Sequence, residues 1–278
     1  MNILIPMAGN GSRFSNAGYV DPKPLISVNG LPMIRRVVEG LNIFGDYIFI
    51  VQQQHRKQYE LDRVLNTTVQ QVFPAEIMGT HGVTKRDGNV YTTPVTIVEV
   101  EAVTEGQACS VLLAKEYIDN NEPLLISNSD TMYGWTNHAS HSWEKVVHSE
   151  HSGDFLREIE RTDPDGCIVT YKTTNPSWSF AKTNSDGRVI ETAEKNPISD
   201  NGTVGIYYWK HGSDFVKYAE QMISKNIRTN NEFYVCPVYN EAIADGKLIT
   251  IYPMQQVFGL GTPEDLKISA HKLWGLTL

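Results

Sequence analysis

Residues 2–14 read N-I-L-I-P-M-A-G-N-G-S-R-F. A continuous apolar run of this kind, without polar alternation, marks a short strand buried on both faces. Ala8-Gly9-Asn10-Gly11 then ends it in a tight turn, and Arg13 follows at once. Glycines let backbone N–H groups converge on an anion, and an arginine adds a mobile full charge. Residues 21–25, D-P-K-P-L, bracket Lys23 with two prolines that stiffen the backbone and limit where its ammonium can point. The run lacks a basic leader and passes straight into the turn, so it reads as a core strand and not as a signal peptide.

Outward from this start the pattern alternates. Residues 32–41 carry Met33, Ile34, Val37, Val38 and Leu41 at helical spacing. Strands are expected at 46–51, 95–103 and 123–127, with helices at 56–65 and 107–118, the latter turning Leu112 and Leu113 inward. Strands alternating with helices predict an α/β fold, a mostly parallel sheet with helices on both faces. In the second half strands are expected at 167–172, 180–183, 189–193, 203–209, 248–252 and 256–260. Asn184-Ser185-Asp186-Gly187 would form a hairpin turn. A helix is expected at 213–225, capped by Ser213, and a last one from Pro263. With no repeat, low-complexity tract or linker, residues 1–278 read as one domain with irregular insertions near 78–94 and 134–153.

Composition narrows the function classes. The chain has 278 residues, 41% hydrophobic and 20% charged, as a packed globular protein does. Its formal net charge of −8 lacks the diffuse positive field of a nucleic-acid binder. A phosphate-bearing ligand therefore needs locally concentrated cations, which Arg13 and Lys23 supply. Cys109, Cys167 and Cys236 are too far apart for a zinc site or a disulfide framework and read as free thiols of a cytoplasmic protein. No apolar run approaches membrane-spanning length, so no membrane partner is expected. His138, His141, His148 and His151 share one insertion with Trp143 and border Trp135. A metal site, a polar surface insertion and a subunit contact within a homo-oligomer are all compatible with that spacing, as is a tryptophan cover over a ligand.

The glycine turn alone is weak evidence. Phe14 stands where the dinucleotide fingerprint needs Gly or Ala, and no Gly-Lys-Ser/Thr of a P-loop follows. Joined to P-K-P-L-I-S-V-N-G-L-P-M-I at 22–34, however, M-A-G-N-G-S-R-F resembles the N-terminal signature of the sugar-nucleotidyltransferase superfamily, the nucleotide-sugar pyrophosphorylases and their cytidylyltransferase relatives. The likeness is dense over the first 40 residues or so and looser beyond them. It implies a Rossmann-like, GT-A-like nucleotidyltransferase fold with a mixed, mostly parallel sheet. It also implies transfer of a nucleoside monophosphate from a nucleoside triphosphate to a phosphorylated small molecule, such as a sugar 1-phosphate, for surface-polysaccharide precursors.

The same resemblance assigns roles. Met7, Ala8, Gly9, Asn10, Gly11 and Ser12 would hold the nucleotide, with Gly106 and Gln107 on the base. Arg13 and Lys23 would meet the phosphates. Asp130 lies just past the expected strand at 123–127, at the sheet edge where open α/β sheets bind ligands, and would hold Mg2+. Glu194 and Lys195 would bind the acceptor, with Gly205 and Glu232. One departure stands out. Residues 258–266, F-G-L-G-T-P-E-D-L, resemble a late segment that supplies a second metal-binding aspartate, and Gly259 occupies its place. Either one carboxylate suffices, or another acid such as Glu232 replaces it, or catalysis is lost. Asp265 is expected merely to begin the last helix. Transfer to a non-sugar phosphate by a cytidylyltransferase, and a non-catalytic nucleotide-binding regulator, remain open alternatives. A glycosyltransferase would want a D-x-D motif, and Asn128-Ser129-Asp130 lacks the first carboxylate.

Overall fold

A computed structural model describes residues 1–73, 93–135 and 152–275. Its strands, in chain order, are β1 (Asn2–Pro6), β2 (Ser27–Val28), β3 (Leu31–Pro32), β4 (Asp46–Gln52), β5 (Val95–Val100), β6 (Leu124–Ser127), β7 (Thr131–Gly134), β8 (Gly166–Lys172), β9 (Ser179–Thr183), β10 (Val189–Glu194), β11 (Asn201–Trp209), β12 (Ile249–Pro253) and β13 (Gln256–Gly259). The helices are α1 (Ser12–Asn16), α2 (Met33–Leu41), α3 (Gln53–Gln58), α4 (Leu61–Val72), α5 (Gln107–Leu112), α6 (Lys115–Ile118), α7 (Ser152–Thr162), α8 (Gly212–Ser224), α9 (Val238–Ala244) and α10 (Pro263–Trp274).

The main sheet runs in the order β10-β9-β11-β6-β1-β4-β5, with β8 and β12 joined beside β11. Strands β5, β4, β1 and β6 are mutually parallel, as βα alternation requires. The second half adds β8, β9, β10 and β11 largely by antiparallel pairing, so the sheet is mixed. Strand β1 shows why the opening run is apolar throughout: Ile3, Leu4 and Ile5 have no exposed surface. Ile3 and Ile5 pack with α2, α4 and α7, while Leu4 packs with α5, α6, α8 and α9. Helices thus cover both faces.

A small second sheet pairs β7 with β13, placing Gly259 opposite Thr131. Leu260 N donates to the Asp130 carbonyl at 2.8 Å, which ties the late glycine-rich turn to the end of β6. Trp135, next along, buries its ring and donates from Nε1 to the carbonyls of Gly40 (2.8 Å) and Leu41 (3.0 Å). It is a core side chain and not a cover over a ligand. Ser152 Oγ donates to the Asn42 carbonyl at 2.8 Å. His138, His141, Trp143, His148 and His151 lie outside the described residues.

Several local expectations need correction. The helix expected at 56–65 is divided, because Tyr59 closes α3 and Glu60 turns left-handed at φ 48°. The helix expected at 107–118 is likewise two short ones. Across that break Leu113 points outward, 43% exposed, while Ala108, Val111 and Ala114 are buried. Ser213 does not cap α8; His211 holds the N-cap position without a side-chain bond. Helix α7 begins at Ser152, inside the stretch expected to be irregular. Helices α1 and α9 were not foreseen, being short and hidden among turn-forming residues.

Candidate active site

The parallel strands β1, β4 and β6 end along one edge of the sheet, and two polar clefts open there. The first is lined by Met7, Ala8, Gly9, Gly11, Lys23, Gly106, Gln107, Ser129 and Glu232, among others. The second is lined by Arg13, Gln107, Asn128, Asp130, Trp178, Glu194, Tyr234 and Asp265, among others. Gln107 faces both. So does the turn after β6, which gives Ser129 to one cleft and Asn128 and Asp130 to the other.

The glycine turn folds as its sequence dictates. Gly11 caps α1 with φ 60°, and a Cβ there would come within 3.2 Å of the Lys23 Cβ. Only glycine therefore lets the loop and the proline-bracketed lysine touch. Lys23 begins a 3-10 turn, Lys23–Leu25, and its Nζ donates to Asp130 Oδ2 at 2.5 Å. Both side chains keep about a fifth to a quarter of their surface open, 20% and 27%. The loop, the lysine and the carboxylate expected from separate stretches thus meet across 107 residues of chain. Arg13 is exposed on α1 and borders the second cleft. Asn10 and Ser12 are exposed and do not line either cleft.

Gln107 Nε2 donates to Asn128 Oδ1 at 2.9 Å, bracing the wall between the clefts. Behind it, Asn128 N donates to the Gly205 carbonyl at 2.9 Å. Gly205 has φ 85° in the irregular part of β11, and any Cβ there would collide with the Asn128 side chain. Gly205 therefore shapes the wall from beneath instead of lining the cleft.

On the far side, Glu194 ends β10 with its side chain 7% exposed and accepts a hydrogen bond from Ser179 Oγ. Burial pushes its carboxyl above the usual range, against the opposing pull of the Ser179 bond and the Lys195 charge. Lys195 turns left-handed at φ 54°. Its Nζ lies 4.0 Å from Glu194 and donates to the Tyr234 hydroxyl at 2.7 Å. Glu232, expected with these residues, instead lines the first cleft beside Gln107.

A divalent ion requires hard oxygen donors, and the second cleft has two carboxylates converging. A Cβ placed on Gly261 would stand 3.3 Å from Asp130 Oδ2 and 3.8 Å from Asp265 Oδ2. A Cβ on Gly259 would stand 3.6 to 4.0 Å from the Asp265 side chain. Asp265 thus lies in van der Waals reach of the place a side chain at 259 would start from. Thr262 fixes it there: Thr262 Oγ1 caps α10 by accepting from Asp265 N at 3.0 Å and donates to Asp265 Oδ2 at 2.7 Å. Among the described residues no group of three or more His, Cys, Asp or Glu gathers as a metal cage. Two carboxylates completed by phosphate oxygens and water fit Mg2+, which keeps several such ligands.

Asn128, Tyr234, Trp178 and Asp265 went unassigned on sequence grounds. Asn128 carried a signal in standing two residues before Asp130 at a strand end, Tyr234 in sharing the 231–234 segment with Glu232, and Asp265 was expected only to begin the last helix. Neither a family model nor a curated protein matches the sequence. Solved structures do. A nucleoside-diphosphate-sugar pyrophosphorylase from Vibrio cholerae RC9 superposes with a TM-score of 0.73 at 24% identity, over 97% of this chain and 99% of that one. Its fold is the nucleotidyltransferase fold. A Bacillus anthracis protein described as a glucose-1-phosphate thymidylyltransferase, solved with sucrose, matches at TM-score 0.69 and 17% identity, over 100% of this chain and 97% of that one. A UDP-glucose pyrophosphorylase solved with UDP-glucose matches at 0.69 and 14%, over 97% of each chain. The nucleotidyltransferase fold thus spans nearly the whole chain, and both clefts lie within it. Among the described residues no helix is long and apolar enough to cross a membrane.

Proposed function

We propose that the chain is a nucleotidyltransferase that joins a nucleoside monophosphate, from a nucleoside triphosphate, to a phosphorylated small molecule with release of pyrophosphate. The observation that carries this is the pair of polar clefts meeting at Gln107 and the turn after β6, with the Lys23–Asp130 pair at their junction. One cleft suits a nucleotide held by the glycine turn and Lys23. The other suits an acceptor met by Glu194 and Lys195. An acceptor phosphate oxygen attacks the α-phosphorus, the bond to the bridging oxygen breaks, and pyrophosphate leaves with the electron pair. No protein nucleophile is needed. The residues must align two mutually repelling anions and neutralise charge on the leaving group. Arg13 and Lys23 answer that charge. Asp130, joined by Asp265, would hold Mg2+, which when bound supplies further positive charge at the phosphates.

Among acceptors, a polyhydroxylated phosphate such as a sugar 1-phosphate is favoured over a choline-type cation. Quaternary ammonium groups want several free aromatic faces. Here the Lys195 ammonium stands over the Tyr234 ring, 4.6 Å from its centroid, and Tyr207 is buried. Asn175, Ser177 and Ser179 add hydroxyl and amide partners beside Trp178. Such a product would serve surface-polysaccharide synthesis in the cytoplasm. The test is a matrix of four nucleoside triphosphates against sugar, polyol and choline phosphates with Mg2+, scored by pyrophosphate. Turnover with a sugar or polyol phosphate is expected. Nucleotide binding without turnover across the matrix would favour a regulatory protein instead.

A further inference from the structure

Lys195, the cation on the acceptor side, is held in more ways than a surface lysine needs. Its backbone is left-handed, which is strained for a non-glycine residue and persists only where the surroundings impose it. Its N–H donates to the Trp178 carbonyl at 3.0 Å. Its ammonium bonds the Tyr234 hydroxyl and stands over the same ring. Tyr234 belongs to a segment clamped on the other cleft: Phe233 N donates to the Glu105 carbonyl at 2.8 Å, and Ala108 N donates to the Phe233 carbonyl at 2.9 Å. Glu232, two residues before the tyrosine, lines the nucleotide-side cleft. Burial, then the hydrogen bond and charge of Glu232, then the charge of Glu194 raise the Tyr234 hydroxyl well above an ordinary phenol, so it stays protonated. A phenol that lines the second cleft thus holds the Lys195 ammonium, which itself lines neither cleft.

We infer that Tyr234 is a positioning residue that sets the Lys195 ammonium for the acceptor's phosphate. The inference rests on the nucleotidyltransferase reading above. Tyr234→Phe removes only the hydroxyl and keeps the ring under the ammonium. With whichever nucleotide and acceptor the matrix identifies, the acceptor KM of Tyr234→Phe rises about tenfold, as loss of a hydrogen bond to a charged group does. Nucleotide KM stays within about twofold, and melting temperature is unchanged. Because the tyrosine acts through Lys195, adding Tyr234→Phe to Lys195→Met raises KM no further. Wild-type turnover with an unaltered acceptor KM in Tyr234→Phe, or multiplying effects in the double variant, would each overturn the placement. No wild-type turnover with any pair would instead remove the enzyme reading beneath it.

Discussion

The two walls of the cleft region are built on opposite plans. The proposed nucleotide side is centred on one stretch: Met7 to Lys23 supply loop and cation together, on the turn after a strand with a buried middle, and Gly106, Gln107, Ser129 and Glu232 close around them. The acceptor side is assembled from four distant pieces, around Trp178, Glu194, Tyr234 and Asp265, which meet only because β9, β10 and β11 lie together and the β7–β13 pair folds the late turn back. A local site leaves a pattern in sequence, whereas a distributed one leaves scattered residues whose meaning depends on the fold.

The sharpest way to break this contrast is at the junction itself. Lys23→Ala and Asp130→Ala each lower turnover on the order of 100-fold or more, the scale for one lost charge-stabilising group. Melting curves should stay near wild type, since both side chains are partly open. Near-normal pyrophosphate release by both would dissolve the junction as a reactive centre.

Next is the late turn. Asp265→Asn weakens Mn2+ binding, used as the probe for Mg2+, by about tenfold or more in electron paramagnetic resonance titrations. Unchanged affinity would return Asp265 to a pure helix-capping role. Glu194 offers a smaller, pH-resolved effect. Its folded carboxyl lies above its unfolded value, so the folded state holds the extra proton. Its contribution to stability is fully present below the ordinary carboxylate range and is lost as pH climbs through the raised value. Glu194→Gln removes that loss, and the difference between the two proteins' melting temperatures should trace it as pH rises above the ordinary carboxylate range. Parallel profiles would mean the group is not buried as described. Least of all, Glu105→Gln, which breaks the ion pair to Arg228, changes stability by less than about 1 kcal/mol, because Glu105 is largely exposed. A larger loss in a denaturant titration would mean this pair ties its two segments together more strongly than surface charges do.

What was legible follows the same division. Asn2–Pro6, the glycine turn and Lys23 could be read because apolar runs, glycines and prolines act within a few residues of themselves. The expected acid after β6 could be read because strand ends bind ligands in such sheets. Tyr234 could not, since its meaning is the ammonium 39 positions away. Gly259 looked like a lost ligand because sequence counts positions along the chain. The capped start of the last helix holds the Asp265 carboxylate beside that position. Leu113 was misplaced because an unbroken helix was assumed through a bend.

Trp135 and Ser152 grip the carbonyls of Gly40, Leu41 and Asn42, three consecutive residues at one helix end. The ends of β7 and α7, distant in sequence, are thereby anchored to one point beside the end of α2.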